Sequence, residues 1–177
     1  MKKISIIIFS VLTFFSCLYS LEVINELSFW EKQINKIVPV NFKGLQILSE
    51  HDIALFKEYG RDQKAKDQIY NQNLKGYKEK KIFSYISGDF QGMGKTNYAF
   101  ACKMKKDLSH SYLIIIEKRN KQYYWMQAIE FPTKIFFIYG FNNNLIQLCF
   151  QYGTDWYREV FWTGTNYQLK DIDEAGP

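Results

Sequence analysis

One stretch of the sequence combines residue types and spacing that could support chemistry: Gly88-Asp89-Phe90-Gln91-Gly92-Met93-Gly94-Lys95-Thr96-Asn97. Its end looks like that of a phosphate-binding loop, in which four residues separate a first Gly from the Gly-Lys-Ser/Thr. Here five residues separate Gly88 from Gly94. The following segment also has the pattern of a strand, whereas a phosphate loop leads into a helix. The spacing therefore excludes a phosphate-binding loop.

The same stretch fits a calcium-binding loop better. Such loops place oxygen ligands at alternate positions and a Gly at the sharp turn. On that frame Gly94 is the turn residue, and the ligand positions hold Asp89, Gln91, Met93 and Asn97. Only Asp89 is a carboxylate, and the Met93 thioether is a poor ligand for a hard cation. We therefore expect a loop that keeps its turn without holding calcium, and we predict no metal site and no cofactor.

The segment from Ser87 to Ala101 resembles the G-D-F-N-G-D-G-K-x-D-Y-A signature of VCBS/FG-GAP-like repeats in exported bacterial proteins. A looser similarity lies at Trp162-Thr163-Gly164-Thr165-Asn166-Tyr167, a W-x-G-x-x-Y hairpin common near the end of such proteins. The resemblance implies a β-hairpin unit and no enzymatic activity. The motif occurs once, whereas a propeller needs at least four blades.

Other catalytic arrangements have little support in the sequence. His51 and His110 are the only histidines, and neither has neighbours typical of a metal site or a catalytic triad. A carboxylate pair for glycoside hydrolysis stays open, because Glu117, Glu130 and Glu159 fall in strand-like runs. Nothing in the sequence marks two of them as partners. We therefore predict a protein that is not an enzyme.

Helical patterns occupy the first part of the chain after residue 20. Apolar residues recur at helical spacing over one stripe, which Pro39 ends: Val23, Leu27, Trp30, Ile34 and Ile37. A second short helix is predicted from Ser49, with Asp52 completing a capping box, to Gly60. Residues 61–81 are mostly charged and polar, which indicates an exposed connection with some helix.

From Lys81 the pattern changes to strands separated by short turns. The predicted strands are Ile82–Ser87, Tyr98–Lys105, Tyr112–Lys118, Tyr123–Glu130, Lys134–Phe141, Leu145–Tyr152, Trp156–Trp162 and Tyr167–Ile172. Short connections favour antiparallel neighbours. The predicted fold class is therefore α+β, with N-terminal helices followed by an antiparallel β-meander that curls or forms a sandwich. We expect one domain, with a helical part over residues 21–80 and a β part over residues 81–177.

Residues 1–20 have the pattern of a secretory signal peptide. Lys2 and Lys3 precede the 12 residues from Ile4 to Phe15, an apolar run shorter than the span of about 20 that a membrane helix needs. Phe14-Phe15-Ser16-Cys17 resembles a bacterial lipobox, which implies a signal that ends at residue 16 and a lipid on Cys17. Ordinary cleavage after Ser20 is the alternative. The prediction is an exported protein, either a membrane-anchored lipoprotein or free in the periplasm or outside the cell.

The charge and the cysteines of the mature chain set further limits. Lys and Arg number 23 against 18 Asp and Glu, a net charge of +5, which becomes +3 once Lys2 and Lys3 are removed. So mild a charge argues against a nucleic-acid partner. Cys102 and Cys149 remain, and after export they are compatible with one disulfide. Two small buried hydrophobic side chains are the other interpretation.

Aromatic residues make up 18% of the chain and fall on both faces of predicted strands, as in Tyr123-Tyr124-Trp125. Filling two core layers is their simpler use, whereas exposed Tyr and Trp suit a surface that binds protein or glycan. The leading hypothesis is a non-enzymatic envelope protein that binds another macromolecule through its β-rich domain. One alternative is a periplasmic inhibitor or immunity protein against a cell-wall hydrolase or toxin. The other is an envelope hydrolase that uses carboxylates.

Overall fold

A computed structural model describes residues 26–107, 109–150 and 157–170. The predicted leader, Cys17 and Val23 lie outside these residues. Helical segments come first, with β1 among them: α1 (residues 26–37), a short 3-10 helix (Val40–Phe42), β1 (Leu45–Ile47), a longer 3-10 helix (Glu50–Tyr59) and α2 (Gln63–Lys78). The strands that follow are β2 (Tyr85–Gly88), β3 (Thr96–Met104), β4 (Ser111–Arg119), β5 (Gln122–Phe131), β6 (Phe137–Asn142), β7 (Leu145–Cys149), β8 (Tyr157–Trp162) and β9 (Tyr167–Lys170).

The strands form two antiparallel sheets. The first sheet has the order β1-β3-β4-β5, with β2 also paired to β3. β1 and β2 both pair with the same edge of β3. β1 pairs with its C-terminal half, with Ile47 opposite Cys102, and β2 pairs with its N-terminal half, with Gly88 opposite Asn97. The second sheet is the meander β6-β7-β8-β9. The predicted α+β class with antiparallel strands is therefore confirmed.

The predicted order, with all helices before all strands, is only partly correct. β1 lies between helical segments and joins the first sheet. The sequence does not predict this strand, because three residues are too few to show an alternating pattern: Leu45-Gln46-Ile47. The eight later strands lie where the predicted runs place them, with shifts at their ends.

Both faces of the first sheet are packed. α1 covers one face, where Trp30 and Ile34 join Phe100 of β3 in one hydrophobic cluster. The second sheet, the longer 3-10 helix and α2 pack against the other face, in a cluster that includes Ile115 and Ile146. The central strand β4 is consequently buried from Ser111 to Glu117. A strand buried on both faces reads as a continuous apolar run, which explains the sequence of β4.

Trp30 is the main anchor of α1. Its ring lies between 4.7 and 6.0 Å, centroid to centroid, from the rings of Tyr85, Tyr98, Phe100 and Tyr123. The predicted apolar stripe is confirmed, since Trp30 and Ile34 are buried and Leu27 and Ile37 are half-buried beside them. The helix ends at residue 37, just before Pro39.

The helix predicted from Ser49 is confirmed in position and is a 3-10 helix. The Asp52 carboxylate accepts the Ser49 N–H at 2.8 Å, as the capping box requires. Residues 61–81, in contrast, are mainly helical rather than mainly an exposed connection, because they contain the 16-residue helix α2. Asp62 begins α2 by accepting the Ala65 N–H at 2.8 Å. The sequence does not predict the full extent of this helix, because its buried residues do not form an apolar stripe: Ile69, Asn73 and Gly76.

Cys102 and Cys149 are not joined by the disulfide that the sequence left open. Both are buried, but Cys102 lies on β3 in the cluster beneath α1, and Cys149 lies on β7 in the cluster between the sheets. The first sheet therefore separates them. Burial raises the pKa of the Cys102 thiol well above its ordinary value, and the charge of Glu31 raises it further. Both cysteines act as small core side chains in this structure.

Candidate functional site

Four loops meet at one end of the two sheets, which we call the loop end. They connect β2 to β3 (residues 89–95), β4 to β5 (residues 120–121), β6 to β7 (residues 143–144) and β8 to β9 (residues 163–166). The first two adjoin because Thr96 pairs with Lys118, and the last two because Leu145 pairs with Phe161. A Cβ at Gly92 would lie 3.4 Å from the Asn144 Nδ2, so the two pairs of loops also touch. Loops held on a rigid base in this way commonly carry function.

Asp89 closes the loop between β2 and β3 on itself. Its carboxylate accepts the N–H of Met93 at 3.0 Å and that of Gly94 at 2.5 Å. Burial raises the pKa of Asp89, but the backbone N–H groups of the loop outweigh it and hold this pKa below its ordinary value. Gly92 and Gly94 have φ values of 67° and 72°, which side chains rarely adopt. The loop thus has the tight turn that its sequence predicts.

The residues at the calcium-ligand positions do not fit a calcium ion. Asp89 directs both carboxylate oxygens at the loop's own N–H groups, and the Met93 side chain is 54% exposed. Gln91 Oε1 and both amide atoms of Asn97 are buried without a hydrogen-bond partner. A calcium site needs several converging oxygens and much negative charge, whereas this loop supplies one carboxylate, which its own N–H groups already occupy, and two neutral amide oxygens. Across the described ranges, no group of three His, Cys, Asp or Glu residues could hold a metal ion.

Glu117 is a buried carboxylate at the loop end, with 1% of its side chain exposed. It lies on β4 directly opposite Asn97 of β3. The Arg119 Nε donates to its Oε1, and the Lys95 Nζ lies 3.7 Å from its Oε2. The Arg119 guanidinium also lies over the Tyr124 ring, 5.0 Å from the centroid. Glu117 therefore fixes two surface cations around an open depression between the loops.

The hairpin of β8 and β9 contributes Trp162 and Tyr167, whose ring centroids are 4.8 Å apart. The Tyr167 hydroxyl and the Trp162 Nε1 are buried without a hydrogen-bond partner. Burial raises the pKa of Tyr167, and the charges of Glu117 and Asp89 raise it further. Tyr167 therefore lies within electrostatic range of both carboxylates. The two segments that carry the family resemblance, far apart in sequence, come together at the loop end.

Gln127 of β5 ties this hairpin to the first sheet. Its Nε2 donates to the Tyr167 C=O at 2.8 Å, and its Oε1 accepts the Tyr167 N–H at 2.7 Å. The side-chain amide thus pairs with β9 as a backbone amide would. The sequence does not predict this role of Gln127, because a single amide within a strand gives no sign of what it faces. Glu117 offered a weak signal, since it is a carboxylate that directly follows the apolar run Leu113 to Ile116.

The histidines do not form a reactive group in the described residues. His51 is exposed. His110 lies in the loop between β3 and β4, with its Nδ1 2.8 Å from the Ser109 Oγ and 3.0 Å from the Asp107 Oδ2. Ser109 Oγ itself donates to Asp107 at 2.5 Å, so the carboxylate holds the serine hydroxyl. Hydrogen bonds from Ser109 and His110 lower the pKa of Asp107 to about 2. The other ring nitrogen of His110, Nε2, lies 3.9 Å from the Oε1 of Glu130 on β5.

The three strand glutamates are not brought together. Glu117 of β4 lies opposite Tyr124, whereas Glu130 lies opposite Tyr112, which precedes Glu117 by five residues in β4. That register separates the two carboxylates by about 17 Å along the sheet, beyond the 5–9.5 Å of glycosidase pairs. Glu159 is on the second sheet, where the Lys170 Nζ lies 2.9 Å from its Oε2. Glu117 and Glu130 therefore do not form the pair that the hydrolase alternative requires, and Glu159 is paired with a lysine.

Most aromatic side chains fill the two core layers. Tyr123 and Trp125 pack in the cluster beneath α1, and Trp162 packs in the cluster between the sheets. Among the tyrosines in the described part of the chain, Tyr124 and Tyr139 are exposed, with 39% and 41% of their surface accessible to solvent. Of these two, Tyr124 lies at the loop end.

No family model, no curated protein and no solved structure matches this chain. Among the helices that the structure describes, none is both long and apolar enough to cross a membrane.

Proposed function

We propose that this chain is an exported envelope protein, not an enzyme, that binds another macromolecule through the loop end. Export and a lipid on Cys17 are the parts of this proposal that come from the sequence alone. The loop end supplies the candidate binding surface, on a sandwich-like base in which the two sheets share one cluster. A protein partner is the case that the exposed residues favour.

The Arg119–Tyr124 pair is the observation that carries the proposal. Arginine and tyrosine are enriched among the residues that dominate protein interfaces. Arg119 is held by the buried Glu117 and lies over Tyr124, so both exposed side chains are already ordered. An ordered side chain loses less conformational entropy when it binds, and more of its contact energy remains as affinity. Nearby Met93, 54% exposed, adds an apolar contact.

The charge of the loop end indicates the kind of partner. Its exposed charged residues are all cationic: Lys95, Lys118, Arg119 and Lys121. The two acidic residues, Asp89 and Glu117, are occupied by the loop's N–H groups and by cations. The surface offered to a partner is therefore positive and suits an acidic patch, which would speed association and orient the complex.

A capture experiment with matched variants tests the proposal. The bait is the mature chain, and the sample is a detergent extract of the cell envelope. The loop-end variant is Met93→Asp/Tyr124→Ala, and the control is Val40→Asp/Tyr139→Ala, which makes the same kinds of change at exposed sites elsewhere. We expect the wild type and the control to retain a partner that the loop-end variant loses. Equal retention by both variants would refute binding through the loop end.

The identity of the captured partner then separates the remaining alternatives. A cell-wall hydrolase or toxin that loses activity on adding the mature chain would support the inhibitor hypothesis. Intact masses of the chain from membrane and soluble fractions test the anchor, since a lipoprotein would begin at an acylated Cys17 and a freely cleaved chain near Leu21.

A further inference from the structure

The buried side-chain polar atoms that lack a hydrogen-bond partner, within the described part of the chain, all lie at the loop end. They belong to four residues, Gln91, Asn97, Trp162 and Tyr167. Asn97 contributes both amide atoms. The Trp162 and Tyr167 rings touch, Tyr167 is coupled to the charge of Glu117, and Glu117 faces Asn97 across the strand pair. The atoms of Asn97, Trp162 and Tyr167 therefore lie in one region, and Gln91 belongs to the loop that leads into Asn97.

Buried polar atoms that have neither a protein partner nor water would lower the stability of the fold. Each buried polar group without a partner lowers the folding equilibrium constant by about 5- to 160-fold. Five such atoms together would consume much of the marginal stability of a domain this size. Native proteins satisfy such groups with ordered water or a ligand. An occupant that makes these hydrogen bonds is therefore required.

The chemistry of the cluster defines the occupant. Asn97 Nδ2 and Trp162 Nε1 can only donate, Gln91 Oε1 and Asn97 Oδ1 can only accept, and the Tyr167 hydroxyl can do either. A bare cation would meet the N–H donors, and an anion would meet the carbonyl oxygens and the Glu117 carboxylate. The occupant must be uncharged, must donate and accept, and must be small enough to be enclosed. Water meets all of these conditions.

We propose that the loop end encloses a cluster of water, about two molecules, that links the loop between β2 and β3 to the β8–β9 hairpin. Gln91 and Asn97 stand at positions that a calcium-binding loop would use for ligands, so the water would contact the loop where such a loop contacts an ion. The loop keeps its turn through Asp89, and the enclosed water makes the contacts to Asn97 and Tyr167. This inference does not depend on what the loop end binds.

A crystal structure of the full mature chain, grown with calcium present and resolved well enough to show ordered water, tests the proposal directly. We expect density for water at hydrogen-bond distance from the Asn97 amide and the Tyr167 hydroxyl. Three other results would overturn it: a metal peak at about 2.3–2.6 Å from the oxygens, an empty space, or side chains rotated to pair with one another. In parallel, the midpoint of thermal unfolding should be the same with calcium as with EDTA. A higher midpoint in calcium would contradict an enclosed water cluster.

The variant Tyr167→Phe supplies an independent readout because the sign of its effect differs between a wet and a dry cluster. If water is enclosed, losing the hydroxyl removes one hydrogen bond, and the folding equilibrium constant should fall by about 2- to 13-fold. If the cluster is dry, the variant removes an unpartnered group and the constant should rise. Tyr139→Phe, which removes an exposed hydroxyl, is the matched control and should change little. A rise for Tyr167→Phe would refute the proposal.

Discussion

The bond between Gln127 and Tyr167 gives the sharpest test of how the loop end is held. The substitution Gln127→Leu keeps the side-chain volume and removes both hydrogen bonds to the Tyr167 backbone, at 2.8 and 2.7 Å. No other hydrogen bond of the described residues joins the backbone of β9 to the first sheet. The variant should therefore loosen the β8–β9 hairpin while leaving the first sheet intact.

The magnitude follows from the two backbone groups that lose their partners. A buried N–H or C=O without a partner costs about 1–3 kcal/mol, so two would cost about 2–6 kcal/mol. Tyr167 is 2% exposed, but Leu169 on the same strand is 39% exposed, so water reaches part of β9. We therefore expect a loss in the lower half of that range, about 2–4 kcal/mol of unfolding free energy.

Chemical denaturation measures this loss, and amide hydrogen exchange at Tyr167 locates it. The control is Gln168→Leu, an exposed position on β9 whose side chain bonds only to Asn166, at 3.4 Å. It should change stability by less than about 0.5 kcal/mol. Gln127→Glu adds a pH readout, because a carboxylate can accept the Tyr167 N–H but cannot donate to its C=O. Stability lost at neutral pH should partly return below about pH 4, where the acid is protonated and can donate.

Two results would show that this reasoning is wrong. If Gln127→Leu and Gln168→Leu unfold at the same denaturant concentration, the side-chain amide does not hold the hairpin. If Gln127→Leu loses stability while Tyr167 keeps its hydrogen-exchange protection, the loss arises elsewhere in the sheet.

Three further predictions concern the core. Burial and a hydrogen bond to Glu26 raise the pKa of Tyr85 to about 12. The stability that protonated Tyr85 contributes is complete below about pH 10 and is lost as the pH rises through this raised pKa. A spectroscopic titration of the tyrosines should therefore show an ionisation step near pH 12 that is absent in Tyr85→Phe. Trp30→Ala should cost about 3–5 kcal/mol in denaturation, since Trp30 anchors α1, and a cost near zero would mean that α1 is not docked. Cys102 and Cys149 should resist alkylation in the folded chain and react without reductant once it is unfolded, whereas a need for reductant would indicate a disulfide.

The sequence predicts the parts of this fold that have a strong local signal. Turn residues separate apolar runs from Lys81 onward, and the structure has a strand at each of them. The Trp30 stripe likewise predicts α1. The sequence does not predict β1, which is too short, or the extent of α2, whose buried Asn73 and Gly76 look like surface residues. Both depend on partners that the chain supplies from elsewhere.

The candidate site was predictable only in part, for a related reason. The Gly-rich stretch predicts the tight turn that Asp89 closes, because the turn needs only nearby backbone. Glu117, Gln127 and Tyr167 acquire their roles through strand register and the stacking of two sheets, which no local pattern encodes. The same limit applies to the disulfide that the sequence leaves open, since the spacing of Cys102 and Cys149 does not show that the first sheet separates them.

Site-specific photocrosslinking in the living cell is the measurement that tests the central claim most directly. A photoreactive residue would replace Lys121 at the loop end or, as the matched control, Lys64 on α2, since both lysines are exposed. Binding through the loop end predicts a discrete crosslinked species from position 121 and none from position 64. Crosslinks of equal yield from both positions, or from position 64 alone, would contradict it.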